Sequence, residues 1–133
     1  MCQQTEGILF KELRVLTIDD DPDILNLLKL VLSKIVGSLL QTSQPREGLR
    51  LAITYKPHLI VLDNDMPDLK GVEVLGNLRE MPDTSHIPVL MLTADNSELS
   101  VRKAVKYRAN GYLLKPFDPV QLRNEVVNLL VNP

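Results

Sequence analysis

The sequence contains no tryptophan and one cysteine, and its rings are limited to three tyrosines and two phenylalanines. Cys2 has no partner for an intramolecular disulfide, which excludes a disulfide-stapled scaffold and fits a reducing cytoplasm. An excess of one charge is also missing. Fifteen basic against 17 acidic residues leave a net charge of −2, and no basic run is longer than Arg102-Lys103. Nothing therefore draws the chain to nucleic-acid backbones or anionic membranes through bulk charge. Long hydrophobic runs are absent as well. The opening MCQQTEGILF offers only Ile8-Leu9-Phe10 where a signal peptide needs a basic start and a longer apolar stretch. No segment approaches the roughly 18 apolar residues of a membrane span. The expectation is a cytoplasmic protein, neither exported nor inserted.

What the sequence does have is enough apolar residues for one core: 133 residues, 44% of them hydrophobic, make one ordinary domain. Five short apolar runs recur: RVLTI (Arg14 to Ile18), SLLQT (Ser38 to Thr42), HLIVL (His58 to Leu62), PVLML (Pro88 to Leu92) and GYLLK (Gly111 to Lys115). Three are nearly unbroken in Val, Ile, Leu and Met, as strands buried on both faces of a parallel sheet are. SLLQT is weaker and is expected at an edge.

The intervening segments carry helical period and punctuation. In the first, Asp21 can cap, Pro22 suits the first turn, and Ile24, Leu27, Leu28, Val31, Leu32 and Ile35 line one face before Gly37. Pro45 to Tyr55, Gly71 to Arg79, Leu99 to Tyr107 and Pro119 to Leu130 follow, the last with Val120, Val126, Val127 and Leu130 expected to face inward. Gly76 weakens the third helix by about 1 kcal/mol relative to alanine. The order is a fivefold (βα) repeat, which predicts an α/β, doubly wound parallel five-stranded sheet with right-handed crossovers. Residues 1–12 fall outside the pattern as an N-terminal extension, and 13–131 make the domain.

Ligands of open α/β sheets bind outside the carboxyl ends of the strands. There this chain places Asp19-Asp20-Asp21 after the first strand, Asp63-Asn64-Asp65 after the third, Thr93-Ala94-Asp95 after the fourth and Lys115-Pro116 after the fifth. Asp19, Asp20 and Asp63 on adjacent strand ends would repel one another unless a cation neutralised them. Oxygen ligands without nearby His or Cys suit Mg²⁺ and disfavour zinc. Asp19 to Asp21 alone could be a loop and a helix cap, and Lys115 alone a surface lysine; their shared position argues otherwise. Pro116 restricts Lys115 to an extended or turn geometry that aims its ammonium over the strand ends. His58 and His86 flank strand starts, at the opposite end, and are read as solvated.

Four motifs, VLTIDDDP, LIVLDNDMPDLKG, VLMLTAD and GYLLKPF, stand in the order and spacing of the receiver domain of two-component response regulators, and the chain resembles that family from about Arg14 to Leu130. The resemblance implies a flavodoxin-like fold with strand order 2-1-3-4-5. It implies that Asp63 is the phosphoacceptor, that Asp19 and Asp20 bind Mg²⁺ with Asp63, and that Asp65 adds its backbone carbonyl to the metal. It makes Lys115 the partner of the phosphoryl group, Thr93 the switch hydroxyl and Tyr112 the aromatic switch of the fifth strand. Asp65 and Asp95 occupy positions that tune phosphate lifetime in the family. The implied donor is a histidine kinase or phosphotransfer protein. The output passes through a face of the fourth helix, fifth strand and fifth helix to a downstream protein, and two copies could pair through that face. Such a domain is a phosphorylation-regulated signalling module rather than an enzyme; no direct contact with nucleic acid or membrane is implied. Lys70 and Pro45 depart from the usual pattern without touching this chemistry.

Two other readings compete. Phosphatases of the haloacid dehalogenase type also use an Asp-x-Asp, but their nucleophile strand comes first and their acidic pair last, whereas Asp19-Asp20 leads here and Pro67 stands near where their Thr would be. A receiver-like binding module that had lost phosphorylation would lack Asp63, Lys115 or the acidic pair, and all are present. Whether the chain stands alone or belongs to a longer regulator is left open.

Overall fold

A computed structural model describes residues 10–133. Cys2 and the other residues of 1–9 lie outside that range. Five strands, β1 (Arg14–Ile18), β2 (Ser38–Thr42), β3 (Leu59–Asp63), β4 (Val89–Thr93) and β5 (Gly111–Leu114), alternate with five helices, α1 (Pro22–Leu32), α2 (Pro45–Tyr55), α3 (Gly71–Glu80), α4 (Glu98–Lys106) and α5 (Pro119–Val131). The strands are all parallel, in the order β2-β1-β3-β4-β5. SLLQT is an edge strand, as its composition suggested.

The period-two alternation of strand side chains divides the core into two layers. Leu16, Ile18, Ile60, Leu62, Val89 and Met91 face one side, with Ala52 of α2, Val74, Leu75 and Leu78 of α3, and Ala104 of α4. Val15, Leu59, Val61, Leu90 and Leu92 face the other, with Leu28 and Leu32 of α1 and Leu122, Val126 and Leu129 of α5. Each fully buried aliphatic side chain contributes about 1.5–3 kcal/mol, so β3 and β4, buried at every position, fix the centre of the sheet.

Two expectations change. Val120 is 65% exposed, and the inward face of α5 is Leu122, Val126 and Leu129; capping by Asp118, whose carboxylate accepts the Gln121 N–H, starts the helix and sets which residues point in. Phe10, read as part of an extension, is buried in the layer of α1 and α5. Its carbonyl accepts the N–H groups of Leu13 and Gly37. Gly37 permits this crossing, since a Cβ there would fall 1.7 Å from the Lys11 carbonyl oxygen.

Candidate functional site

β3 and β4 extend one residue further than their apolar runs, so Asp63 and Thr93 are the last ladder residues of their strands and pair with Leu92 and Leu114. Their backbones are fixed by the sheet rather than by a loop. Asp19 follows β1 directly and its N–H donates to the Thr42 carbonyl of β2. Asp19, Asp63 and Thr93 are buried, whereas Asp20 and Asp65 are exposed. The C-terminal edge of the sheet thus offers a carboxylate pair with one open side.

Carboxylate oxygens of Asp19, Asp20 and Asp63 lie within 4.8 Å of one another. Lys115 reaches over them: its Nζ is 3.0 Å from Asp63 Oδ1 and 3.5 Å from Asp19 Oδ2. Asp63 Oδ1 also accepts the Asp65 N–H at 3.0 Å, while Oδ2 takes neither of these bonds. Burial, reinforced by the Asp63 charge and only partly relieved by the Asp21 N–H and Lys115, pushes the Asp19 carboxyl up to about 7. Asp20 is also raised, by loss of solvation and by hydrogen bonding and repulsion with Asp63. Burial alone would lower Lys115, but its hydrogen bond to Asp63 and the charges of Asp19 and Asp63 raise it, so it stays an ammonium. Carboxylates that resist ionisation until a cation arrives, with no nitrogen or sulfur donor in the cluster, fit a hard divalent ion such as Mg²⁺.

The second set of contacts runs away from Asp63. The Asp65 carboxylate accepts the Thr93 hydroxyl at 2.9 Å and the Ala94 N–H at 2.8 Å. Thr93 Oγ1 in turn accepts the Asp95 N–H at 3.0 Å. The Asp95 carboxylate accepts the Ser97 N–H, which lowers its pKa, and this turn leads into α4. The Asp95 carbonyl accepts the Tyr112 hydroxyl at 2.7 Å, with Ser100 Oγ a second partner at 3.4 Å. All the residues singled out at the strand ends are therefore brought to one edge of the sheet.

Asn64 and Gly71, both within the LDNDMPDLKG segment, support the site from behind. Asn64 Oδ1 accepts the Val72 N–H, tying the β3 end to the first turn of α3. Gly71 packs so closely on Asp63 that a Cβ would lie 2.3 Å from its carbonyl oxygen. A glycine at the mouth of a helix that follows an acidic strand end is the signal that could have shown this. His58 lies at the opposite end of the sheet, where its Nδ1 accepts the Arg14 N–H; burial lowers its pKa.

A parallel sheet whose carboxyl edge gathers an acidic trio, a lysine and a strand-end hydroxyl makes an α/β domain with a site suited to a divalent cation and an anionic group. A family model for the response regulator receiver domain matches residues 15–127. The chain belongs to that family. It is 34% identical over 111 residues to the uncharacterized 14.6 kDa protein in the sodA1 3' region of Leptolyngbya boryana, covering 84% of this chain and 85% of that one. It is 35% identical to the alkaline phosphatase synthesis transcriptional regulatory protein PhoP of Bacillus subtilis over 88% of its own length, but spans only 48% of PhoP. The solved chemotaxis protein CheY4 of Vibrio cholerae superposes with a TM-score of 0.83 at 26% identity, covering 89% of this chain and 98% of that one. Among the described residues no helix is long and apolar enough to cross a membrane.

Proposed function

We propose that this receiver domain takes a phosphoryl group from a phosphohistidine of a histidine kinase or phosphotransfer protein onto Asp63 and relays the change to the face of α4, β5 and α5. The observation that carries the reading is the Lys115 ammonium 3.0 Å from the buried Asp63 carboxylate, beside Asp19 and Asp20. In the transfer an Asp63 oxygen forms the new bond to phosphorus as the bond from phosphorus to the donor nitrogen breaks, and the imidazole leaves with the electron pair. Anionic nucleophile and anionic donor repel, so the step depends on screening and alignment more than on bond making. Lys115 supplies a fixed positive charge and hydrogen-bonds Asp63 Oδ1, which holds the orientation of the carboxylate. Asp19, Asp20 and Asp63 would hold Mg²⁺ with the Asp65 carbonyl, and the bound ion would neutralise charge and ligate a phosphoryl oxygen.

The output side follows from Thr93, Asp95 and Tyr112. A phosphoryl group brings about −1.5 to −2 charge and new acceptor oxygens, which differ from a bare carboxylate in what they ask of the Thr93 hydroxyl. Thr93 is joined to Tyr112 through the backbone of Asp95, so a change at Asp63 can bias the α4 and β5 segment. That surface exposes Val101, Val105 and Leu114 at 37%, 70% and 43%, with Val101 and Val105 lining a shallow groove beside Tyr112, an apolar set suited to a downstream protein or a second copy. Asp65 and Asp95 are read as setting the lifetime of the phosphate.

Intact-mass measurement with Mg²⁺ and acetyl phosphate tests the assignment. The parent gains one phosphoryl group and Asp63→Asn gains none. An equal gain in the variant, or steady turnover of a generic phosphate ester, would overturn it.

A further inference from the structure

The Asp65 carboxylate holds two donors at once, the Thr93 hydroxyl and the Ala94 N–H. A hydroxyl and a peptide N–H converging on two oxygens of one anion form an oxyanion cradle. The cradle stands on the last residue of β4 and the residue after it, and its occupant is a side chain of the chain itself. Asp65 reaches it because its own N–H bonds Asp63 Oδ1 at 3.0 Å, which keeps its backbone beside the phosphoacceptor while its carboxylate crosses to β4.

A phosphoryl group on Asp63 needs donors in this same region, and Thr93 has one proton to give. It cannot serve Asp65 and the phosphoryl group together. Resting on the phosphoacceptor reading, we infer that Asp65 is a positioning residue that competes internally with the phosphoryl group: its carboxylate occupies the Thr93 and Ala94 donors until the modified Asp63 displaces it. The arrangement beyond is already in place, since Thr93 Oγ1 accepts the Asp95 N–H and Tyr112 donates to the Asp95 carbonyl. Exchange of one anion for another at the cradle is then passed on through Asp95 to Tyr112. Its cost is the loss of two hydrogen bonds to a charged group and the approach of two like charges.

Beryllofluoride with Mg²⁺, a phosphoryl analogue, supplies the test, with binding followed by amide resonances in the parent, Asp65→Ala and Asp65→Asn. Removing the competitor tightens analogue binding about tenfold in Asp65→Ala, the size of one hydrogen bond to a charged group. Asp65→Asn, which also lacks the charge but keeps an oxygen for Thr93, falls between alanine and the parent. Without analogue, the Ala94 amide exchanges faster in Asp65→Ala than in the parent, and bound beryllofluoride restores its protection. Unchanged or weaker binding in Asp65→Ala overturns the inference, as do equal affinities for the alanine and asparagine variants, which would leave charge alone as the cause. Unchanged Ala94 exchange also overturns it. If the parent neither binds the analogue nor gains phosphoryl mass, the phosphoacceptor reading itself fails and this inference falls with it.

Discussion

At the scale of single residues, the two acids of the Asp63-Asn64-Asp65 turn have different surroundings and hence different tasks. Asp63 is buried and bonded to Lys115, while Asp65 is exposed and spans to Thr93 and Ala94. Asp95 differs again, its carboxylate turned back to the Ser97 N–H. If Asp65 and Asp95 both set phosphate lifetime, they do so by different routes: Asp65 through the donors that face the phosphoryl group, Asp95 through the turn that places Thr93. Dephosphorylation rates measured after removal of the phosphodonor are expected to change several-fold in Asp65→Asn and by a smaller factor in Asp95→Ala. Rates equal to the parent's in both variants would remove the lifetime role. The sequence showed that these acids gather at one edge of the sheet, because strand ends are legible from apolar runs. It could not show that the carboxylate of Asp65 is engaged by β4, since that contact joins residues 28 positions apart.

At the scale of elements, the strands and helices were legible because buried parallel strands read as unbroken aliphatic runs and the helices carry caps and apolar periods. What escaped was the facing of α5 and the core position of Phe10, which depend on tertiary packing rather than local pattern. The two glycines of α3 show the same division. Gly76 sits mid-helix, where a Cβ would come no closer than 3.5 Å to the Tyr107 ring, an ordinary contact. Gly76→Ala therefore gains helix propensity and is expected to raise stability by about 0.5–1 kcal/mol. Gly71 begins the helix with no such room, a Cβ falling 2.3 Å from the Asp63 carbonyl oxygen. Gly71→Ala must push α3 or the β3 end aside, which costs about 1–3 kcal/mol and slows phosphorylation of Asp63. Urea unfolding of the two variants, with phosphorylation rates beside it, checks the pair. Opposite signs of the stability change are the expected result, and a destabilised Gly76→Ala or a neutral Gly71→Ala would contradict the packing argument.

At the scale of the whole molecule, the acidic site works against folding until a cation is bound. Burial raises the Asp19 carboxyl to about 7, above the ordinary value it regains on unfolding. Between about pH 4 and pH 7 the folded chain therefore holds more protons at this site than the unfolded one, and stability falls as pH rises through that window. Asp20, also raised, adds in the same direction. His58 acts oppositely, because its lowered pKa makes the folded chain the less protonated one below the ordinary histidine value. Lys115, raised, stays charged in both states throughout and contributes no slope. Comparing the parent with Asp19→Asn cancels His58 and isolates the site; the asparagine oxygen can still accept the Asp21 N–H that Asp19 Oδ1 accepts. In chelator the variant is expected to be the more stable, by a margin that grows from near zero at pH 4 to about 1–3 kcal/mol at pH 7.5, the lower part of what such a pKa rise allows once the charge is shared with Asp63. Added Mg²⁺ stabilises the parent increasingly with pH, as protons cease to compete for the carboxylates, and stabilises Asp19→Asn much less. Urea unfolding across pH with and without Mg²⁺ measures both effects. A margin that is flat in pH would show that Asp19 is not the strained acid, and a variant that gains as much from Mg²⁺ as the parent would show that it is not a ligand of the ion.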